Sequence, residues 1–145
     1  HKPSEVIFLG DLFHSDHNHD WERFKGFLGQ YAEIKFILIK GNHDILNTGL
    51  FENLLDELYT DGLIKGPFYF SHEPVDHSLY NICGHIHPSV IIKGQGQQSL
   101  RLPCFFFENS RGILPAFGVF TGSYSMEPKK NDDVYIVCDD EVVPL

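Results

Sequence analysis

The sequence is poor in cysteine, and the cysteines it has are scattered. Cys83, Cys104 and Cys138 are odd in number, far apart, and form no Cys-x-x-Cys pair. Disulfide-rich domains and zinc knuckles need paired cysteines at short spacing, so both classes are excluded. We expect reduced, partly buried thiols in a cytoplasmic protein.

Basic residues are also scarce. The chain has 11 Lys and Arg against 20 Asp and Glu, a formal net charge of -9. A broad nucleic-acid-binding surface needs Lys and Arg to displace counterions from phosphates, and this composition argues against one. It does not exclude a phosphate ester substrate, because bound divalent metals reverse the local sign of a carboxylate-rich site.

Long apolar runs are missing too. No stretch approaches the roughly 20 residues that a membrane-spanning helix needs, and the first residues contain no apolar signal-peptide core. We therefore expect no membrane partner. Hydrophobic residues nevertheless make up 42% of the 145 residues, with thirteen Phe, which excludes a disordered chain and predicts one domain over residues 1–145.

Short polar runs follow directly after apolar segments at four places. Because the carboxyl ends of parallel strands meet at one edge of a sheet, polar groups at such ends collect in one crevice. Glycine in three of these runs permits tight turns. The runs are Gly10-Asp11, Gly41-Asn42-His43-Asp44, Ser71-His72-Glu73-Pro74 and Gly84-His85-Ile86-His87.

The apolar spacing predicts the elements that carry these runs. Asp20 is expected to be the N-cap of a helix with an apolar face of Trp21, Phe24, Leu28 and Tyr31, and a second helix is expected around Phe51, Leu54, Leu55 and Leu58. From Val90 onward short strands predict a second sheet. The predicted strands are Glu5–Leu9, Ile34–Ile39, Phe68–Phe70, Leu79–Cys83, Val90–Lys93, Leu100–Phe107, Gly112–Phe117 and Val134–Val137.

The polar runs supply a mixed oxygen and nitrogen ligand set. Asp11, Asn42, His72 and His85 offer one carboxylate, one amide oxygen and two imidazoles, which suits manganese, iron or zinc better than calcium. If Asp11 bridges, its second oxygen and His87 begin a second metal position. Two metals about 4 Å apart activate water and stabilise both oxygens of an in-line phosphoryl displacement.

His43 and Asp44 are the predicted catalytic residues. His43 stands beside the ligand Asn42 and is not needed as a ligand, so it is placed to protonate or support the leaving oxygen. Asp44 is expected to hold the His43 imidazole in the required tautomer.

In this order, the four runs resemble the motifs of the calcineurin-like metallophosphoesterase superfamily. More narrowly, the chain is similar to the bacterial ligase-associated DNA damage response endonuclease (PdeM) branch. That narrower similarity rests on four segments: Gly10-Asp11-Leu12-Phe13-His14-Ser15-Asp16-His17-Asn18, His72-Glu73-Pro74, Ser99-Leu100-Arg101-Leu102-Pro103-Cys104-Phe105 and Leu114-Pro115-Ala116-Phe117-Gly118.

The resemblance implies a fold, a reaction and a set of roles. The fold would be an α/β, four-layer α/β/β/α sandwich with two mixed sheets. The reaction would be phosphoester hydrolysis by metal-activated hydroxide at a dinuclear centre, with two Mn²⁺ (or Fe²⁺ or Zn²⁺) ions. Asp11 would bridge, Asn42, His72 and His85 would complete one metal, and His87 would serve the other. The branch also suggests a DNA substrate and functional association with a DNA ligase and a helicase.

One superfamily motif has no match. An Asp-x-His on an initial strand supplies further ligands of the first metal, and nothing before Gly10 corresponds to it. We therefore expect the domain to be N-terminally incomplete, without its N-terminal strand or strands. For residues 1–145 alone we predict one occupied site at Asp11, Asn42, His72 and His85. Elemental analysis that found two tightly held metal equivalents would contradict this.

Two other functions remain open at this point. The same metals would support a phosphomonoesterase acting on a small metabolite, which the acidic charge favours over DNA. The unmatched motif would suit a binding module that keeps the fold without catalysis. Two further residues are candidates for supporting roles: His14, three residues after Asp11, near the metals without ligating them, and Arg101, in contact with a substrate phosphate.

Overall fold

The computed structural model describes residues 2–12, 19–44, 54–94, 96, 98–118 and 121–145, with the backbone alone for residues 19 and 20. These residues fall into two compact units, residues 1–63 and 64–145. In the part of the chain so described, no helix has the length and apolar character needed to cross a membrane.

The first unit contains a three-stranded parallel sheet. Strands β1 (Glu5–Phe8), β2 (Lys35–Ile39) and β3 (Glu57–Tyr59) pair in the order β1-β2-β3. Helix α1 (His19–Leu28) and a 3-10 helix, η1 (Gly29–Tyr31), connect β1 to β2. The parallel pairing of β1 and β2 confirms the predicted strand-helix-strand unit.

The core of this unit forms between α1 and the sheet. Trp21 and Leu28 of the helix are buried with Phe36 and Leu38 of β2, as expected for an apolar helix face packed on a buried strand. Two details differ from the prediction. Asp20 lies inside the helix, which begins at His19, so it is not the N-cap. Tyr31 lies in η1 and is 39% exposed, because the chain leaves the α-helical spacing after Leu28.

The predicted second helix is wrong where it can be compared. Its first part lies outside the described residues, and Leu58 belongs to strand β3. Contacts with β2 explain the difference: the Asp56 carboxylate accepts the Phe36 N–H at 2.7 Å, and the Asp56 N–H donates to the Phe36 carbonyl at 2.9 Å. Lys35 also pairs with Glu57. These long-range bonds outweigh the helical spacing of the leucines.

Among the residues that the structure describes, the second sheet has nine strands, which run in mixed directions. Seven of them follow one path, β10-β7-β8-β9-β6-β5-β4, while β11 pairs with both β8 and β12. Strand β5 is parallel to β6, and β6 to β9, whereas β7 and β8 are antiparallel. The strands are β4 (Leu63–Lys65), β5 (Phe68–Ser71), β6 (Tyr80–Cys83), β7 (Pro88–Lys93), β8 (Ser99–Phe107), β9 (Arg111–Ile113), β10 (Tyr124–Ser125), β11 (Asp133–Cys138) and β12 (Glu141–Pro144).

This sheet differs from the predicted one in two respects. It begins with Leu63–Lys65 rather than at Val90, so the strands that lead to the histidine runs belong to it. The strand predicted over Gly112–Phe117 stops at Ile113. Pro115 has no N–H to donate to a neighbouring strand, and Phe117 is fully exposed.

All three cysteines are free thiols. Cys83 and Cys104 lie in the core of the second unit with Phe106 and Ile113. Burial raises the pKa of Cys83 to about 12, although the Arg111 charge opposes the shift, and raises the pKa of Cys104 to about 11. Both thiols are therefore protonated at neutral pH, as expected for cysteines that pack in an apolar core.

Candidate metal centre

The first unit presents its polar residues at the carboxyl ends of β1 and β2. Phe8 of β1 lies opposite Leu38 of β2 in a parallel register. Asp11 therefore follows β1 at the same sheet edge where Asn42 and His43 follow β2. Asn42 and His43 are exposed, as groups that meet a ligand must be.

Asp44 holds these two loops together. Its carboxylate is 1% exposed and accepts three backbone N–H groups, each at 2.8 Å: Asp11 and Gly41 on Oδ2, and Leu12 on Oδ1. Charge-assisted bonds of this kind are the strong class of hydrogen bond. The observed role of Asp44 is thus to join the loop after β1 to the loop after β2, while its predicted effect on the His43 tautomer remains a prediction.

Asp11 adds a further hydrogen bond between the loop after β1 and the loop after β2. Its Oδ1 accepts the backbone N–H of His43 at 2.9 Å. Asp11 also has a positive φ of 54°, in the left-handed region that residues other than Gly adopt uncommonly, although Asn, Asp and His do so more often than the rest. Gly10 before it has φ of 87°, so the chain turns sharply at the point where the carboxylate is presented.

The second unit brings two histidines into contact. His72 follows β5 and His85 follows β6, and these strands are parallel with Ser71 opposite Cys83. The Gly84 N–H donates to the His72 carbonyl at 3.0 Å. Through this pairing His72 Nε2 and His85 Nδ1 lie 3.0 Å apart. The other nitrogen of His85 is 4.0 Å from the Glu73 carboxylate, a partner that the sequence motif contained without a role.

His87 is oriented by a separate contact. Its Nδ1 lies 3.0 Å from the Gly122 carbonyl, which can only accept, so Nδ1 is the donor and Nε2 is the nitrogen that remains to bind a ligand. A ring whose second nitrogen is held by a carbonyl in this way is the usual arrangement of a metal-ligating histidine. Gly122 was not identified from the sequence because nothing local relates it to His87.

Backbone strain coincides with the predicted ligands in both units. Of the four described residues other than glycine with positive φ, three are Asp11, His85 (φ 61°) and His87 (φ 52°). A left-handed conformation costs an L-residue roughly 1–2 kcal/mol, and such strain is concentrated at functional sites. Such conformations persist only where the surrounding structure imposes them.

This strain predicts an unusual order of stability at position 85. In metal-free protein, we expect His85→Gly to be more stable than His85→Ala by about 1 kcal/mol, because only Gly adopts positive φ without cost. At Lys93, an exposed strand residue, the same pair should show the usual order, with Ala above Gly. Urea unfolding of the four variants measures both differences. A His85→Gly protein less stable than His85→Ala would contradict the assignment of strain.

Asn81 is a buried polar residue that the sequence analysis passed over. It is 0% exposed on β6, and its Nδ2 donates to the Tyr69 carbonyl at 3.0 Å and to Ser71 Oγ at 2.8 Å. Its Oδ1 accepts the Val75 N–H at 3.0 Å. Asn81 thus fixes both ends of the loop that carries His72. An asparagine within the apolar run Leu79–Cys83 was the available signal, since a buried amide must be hydrogen-bonded.

We expect Asn81→Asp to lower the free energy of unfolding by about 3 kcal/mol. A carboxylate keeps the bond from Val75 but places an oxygen against the Tyr69 carbonyl, and burying a charge without donors is costly. Urea unfolding followed by circular dichroism measures the change. The exposed Asn131→Asp is the control and should stay within about 0.5 kcal/mol of the unchanged protein. Equal stability of the two variants would contradict the role of Asn81.

Arg111 and Arg101 have different hydrogen-bond partners. Arg111 is neutralised by Asp76 at 2.6 Å and Glu108 at 3.4 Å. Arg101 is exposed, and its Nη1 donates to the Ser123 carbonyl at 3.2 Å. His14 lies outside the described residues, so its predicted supporting role stays a prediction.

The two histidines of the second unit are spaced to bind one divalent metal. Two nitrogens bound at about 2.1 Å and at right angles to one ion would lie about 3.0 Å apart, which is the separation of His72 Nε2 and His85 Nδ1. In the first unit, Asp11 and Asn42 offer oxygen donors after neighbouring strands.

The chain was compared with protein families, solved structures and curated proteins. The family model for calcineurin-like phosphoesterases matches residues 1–108. Among solved structures, the crystal structure of the Pseudomonas putida nuclease MPE is similar, with a TM-score of 0.81 and 28% sequence identity. The alignment covers 98% of this chain and 71% of that chain. A search of curated proteins found no match.

Proposed function

The chain belongs to the calcineurin-like phosphoesterase family, and from that membership we propose that it is a nuclease that hydrolyses phosphodiester bonds of DNA. It has the mixed α/β fold of metallophosphoesterases, and the family implies divalent metal ions. The similarity to a nuclease supports the diester substrate. A role in DNA repair in the cytoplasm, alongside a ligase and a helicase, is the part of the proposal that rests on the branch motifs alone.

The four polar runs would supply the ligands of two metals. Asp11 would be shared by both metals, Asn42, His72 and His85 would complete the set for one, and His87 would serve the other. The observation that carries this assignment is the pairing of ligand chemistry with backbone strain: three of these residues have positive φ. His72 and His85 also present nitrogens at a separation that one ion can bridge.

The bound ions would supply positive charge that polarises the phosphoryl oxygens and lowers the pKa of water, with Mn²⁺ as the proposed metal. The side chains then position and transfer protons. His43 is proposed to protonate the leaving oxygen. The His43 backbone N–H donates to Asp11 Oδ1, and the next residue, the buried Asp44, accepts the Gly41 N–H. The backbone that carries the His43 imidazole is therefore held by hydrogen bonds. A fixed proton donor reduces the entropy lost on reaching the transition state.

Hydrolysis of three substrates in the presence of Mn²⁺ tests the proposal. We expect turnover of bis-p-nitrophenyl phosphate and of single-stranded DNA, and much slower turnover of p-nitrophenyl phosphate. Asp11→Asn should remove both diester activities, because the bridging carboxylate loses its charge. His43→Ala should slow them by about 10²–10⁴-fold, the usual contribution of a general acid.

Each alternative gives a different result in the same assay. Faster turnover of p-nitrophenyl phosphate than of the two diesters would indicate a phosphomonoesterase instead of a nuclease. The net charge of -9 favours that alternative. Undiminished turnover by Asp11→Asn would contradict both the nuclease and the phosphomonoesterase hypotheses. A protein that binds metal and oligonucleotide but hydrolyses none of the three esters would be a binding module.

A further inference from the structure

Glu73 lies beside the imidazole of His85, at the nitrogen that His72 does not contact. Nδ1 of His85 is 3.0 Å from His72 Nε2, and Nε2 of His85 is 4.0 Å from Glu73 Oε1. An ion bound by both histidines would therefore take the Nδ1 lone pair of His85. The proton of the neutral ring is then on Nε2, because a neutral imidazole has one N–H and one lone pair. This N–H is on the side of the Glu73 carboxylate.

The backbone that carries Glu73 is held on both sides. Ser71 Oγ donates to the Glu73 carbonyl at 2.6 Å and accepts Asn81 Nδ2 at 2.8 Å. After Pro74, whose ring fixes its φ, the Val75 N–H donates to Asn81 Oδ1 at 3.0 Å. Ser71 and Asn81 are buried. Only rotation within the Glu73 side chain is therefore needed to shorten the 4.0 Å separation to a hydrogen bond.

The negative charge of Glu73 is available to His85. Among the residues that the structure describes, no Lys or Arg forms an ion pair with this carboxylate, whereas Glu57 pairs with Lys35 and Glu108 with Arg111. The Glu73 side chain is 58% exposed, so burial does not force it towards the imidazole. Its carboxylate is therefore a ready acceptor for a ring N–H.

We propose that Glu73 is a positioning residue of the metal centre, whose carboxylate accepts the Nε2–H of His85 and keeps the Nδ1 lone pair directed at the ion. This rests on the proposed function and adds a residue to it. Metal-ligating histidines usually donate their second N–H to a carboxylate or a carbonyl, which orients the ring and raises its basicity as a ligand. The Gly122 carbonyl is such a partner for His87. Glu73 gives His85 a partner that also carries a negative charge.

Binding of Mn²⁺, followed by the electron paramagnetic resonance signal of the free ion, tests this role without measuring activity. We expect Glu73→Ala to raise the Kd for the metal about 10–100-fold, the usual cost of removing such a partner. Glu73→Gln should raise it by a smaller factor, because the amide oxygen still accepts the N–H but carries no charge. Glu127→Ala removes an exposed carboxylate from the same unit and should bind within about twofold of the unchanged protein.

Nitrogen NMR of the histidine rings in the metal-free protein gives a second measurement. The chemical shifts of a neutral imidazole report which nitrogen carries the proton. We expect the proton of His85 on Nε2 in the unchanged protein and in Glu73→Gln, because both side chains accept this N–H. Glu73→Ala should give a mixture of both tautomers. A merely structural effect would shift many residues and would not select the tautomer of one ring.

Three results would overturn the role of Glu73. They are binding of Mn²⁺ by Glu73→Ala within about twofold of the unchanged protein, an equal loss in Glu127→Ala, and a His85 proton on Nδ1 in the unchanged metal-free protein. Each of them, together with hydrolysis of bis-p-nitrophenyl phosphate, would leave the proposed phosphodiesterase intact. An unchanged protein that neither binds Mn²⁺ nor hydrolyses any of the three esters would contradict the proposed function, and the role of Glu73 with it.

Discussion

Replacing Asp44 by Asn is expected to lower the free energy of unfolding of the first unit by about 2–4 kcal/mol, although the two side chains have nearly the same shape. The carboxylate accepts three backbone N–H groups on two oxygens. An amide has one acceptor oxygen, so its NH₂ group must face at least one backbone N–H. A buried donor without an acceptor costs about 1–3 kcal/mol, and the lost charge weakens the remaining bonds.

Rotating the new amide does not rescue Asp44→Asn. With its oxygen in the place of Oδ2, it keeps Asp11 and Gly41 but opposes Leu12; in the other orientation it opposes both Asp11 and Gly41. In each case the loop after β1 loses one of its two bonds to residue 44. We therefore expect weaker metal binding as well as lower stability.

Asp56→Asn is the matched control in the same unit. Asp56 Oδ2 accepts a single N–H, from Phe36, and an amide oxygen can replace it, so the loss should stay below about 1 kcal/mol. The fluorescence of Trp21 reports the unfolding of this unit selectively, because it is the one tryptophan in the sequence and is buried in this core. Equal urea midpoints for the two variants would show that Asp44 is not the residue that joins the loops.

The elements predicted well from the sequence are the buried strands. Lys35–Ile39 and Tyr80–Cys83 are nearly continuous apolar runs, and parallel strands covered on both faces have that pattern. Glu57–Tyr59 and Tyr124–Ser125 were missed because each is too short to show a period. Their conformation depends on bonds to residues distant in the chain, such as the bond from the Tyr124 N–H to His87.

The site likewise has features that the sequence predicts and features that it does not. The positions of Asp11, His72 and His85 after strands were predictable because each follows an apolar strand signal. The residues that hold them were not, because their partners are far away in sequence: Asp44 reaches Asp11 across 33 positions, and His87 reaches Gly122 across 35. Positive φ at a non-glycine residue has no local sequence signal, so the backbone conformation of Asp11, His85 and His87 could not be predicted either.

Replacing His85 by Gly is expected to reduce diester hydrolysis by more than the roughly 10–100-fold that loss of an outer partner of a metal ligand costs. The substitution removes the nitrogen that lies 3.0 Å from His72 Nε2. Gly is preferable to Ala for this test because φ at this position is 61°, so the backbone should keep its conformation. Metal content measured by elemental analysis should fall together with activity.

His77→Ala is the control histidine for this substitution. His77 is exposed, stacks on Tyr69 with ring centroids 4.3 Å apart, and accepts the Leu79 N–H at Nδ1, so it belongs to the same unit without belonging to the ligand set. It should retain full metal content and activity. Loss of activity in both variants to the same degree would show that the effect is not specific to His85.

Imidazole added to His85→Gly should restore part of the activity. The side chain of His85 is 35% exposed, so the space left by the substitution is open to solvent, and free imidazole offers the same nitrogen donor. Restoration should saturate with imidazole concentration and should be accompanied by recovery of bound metal. Recovery of neither, in a protein whose circular dichroism is unchanged, would mean that His85 acts through something other than its ring nitrogen.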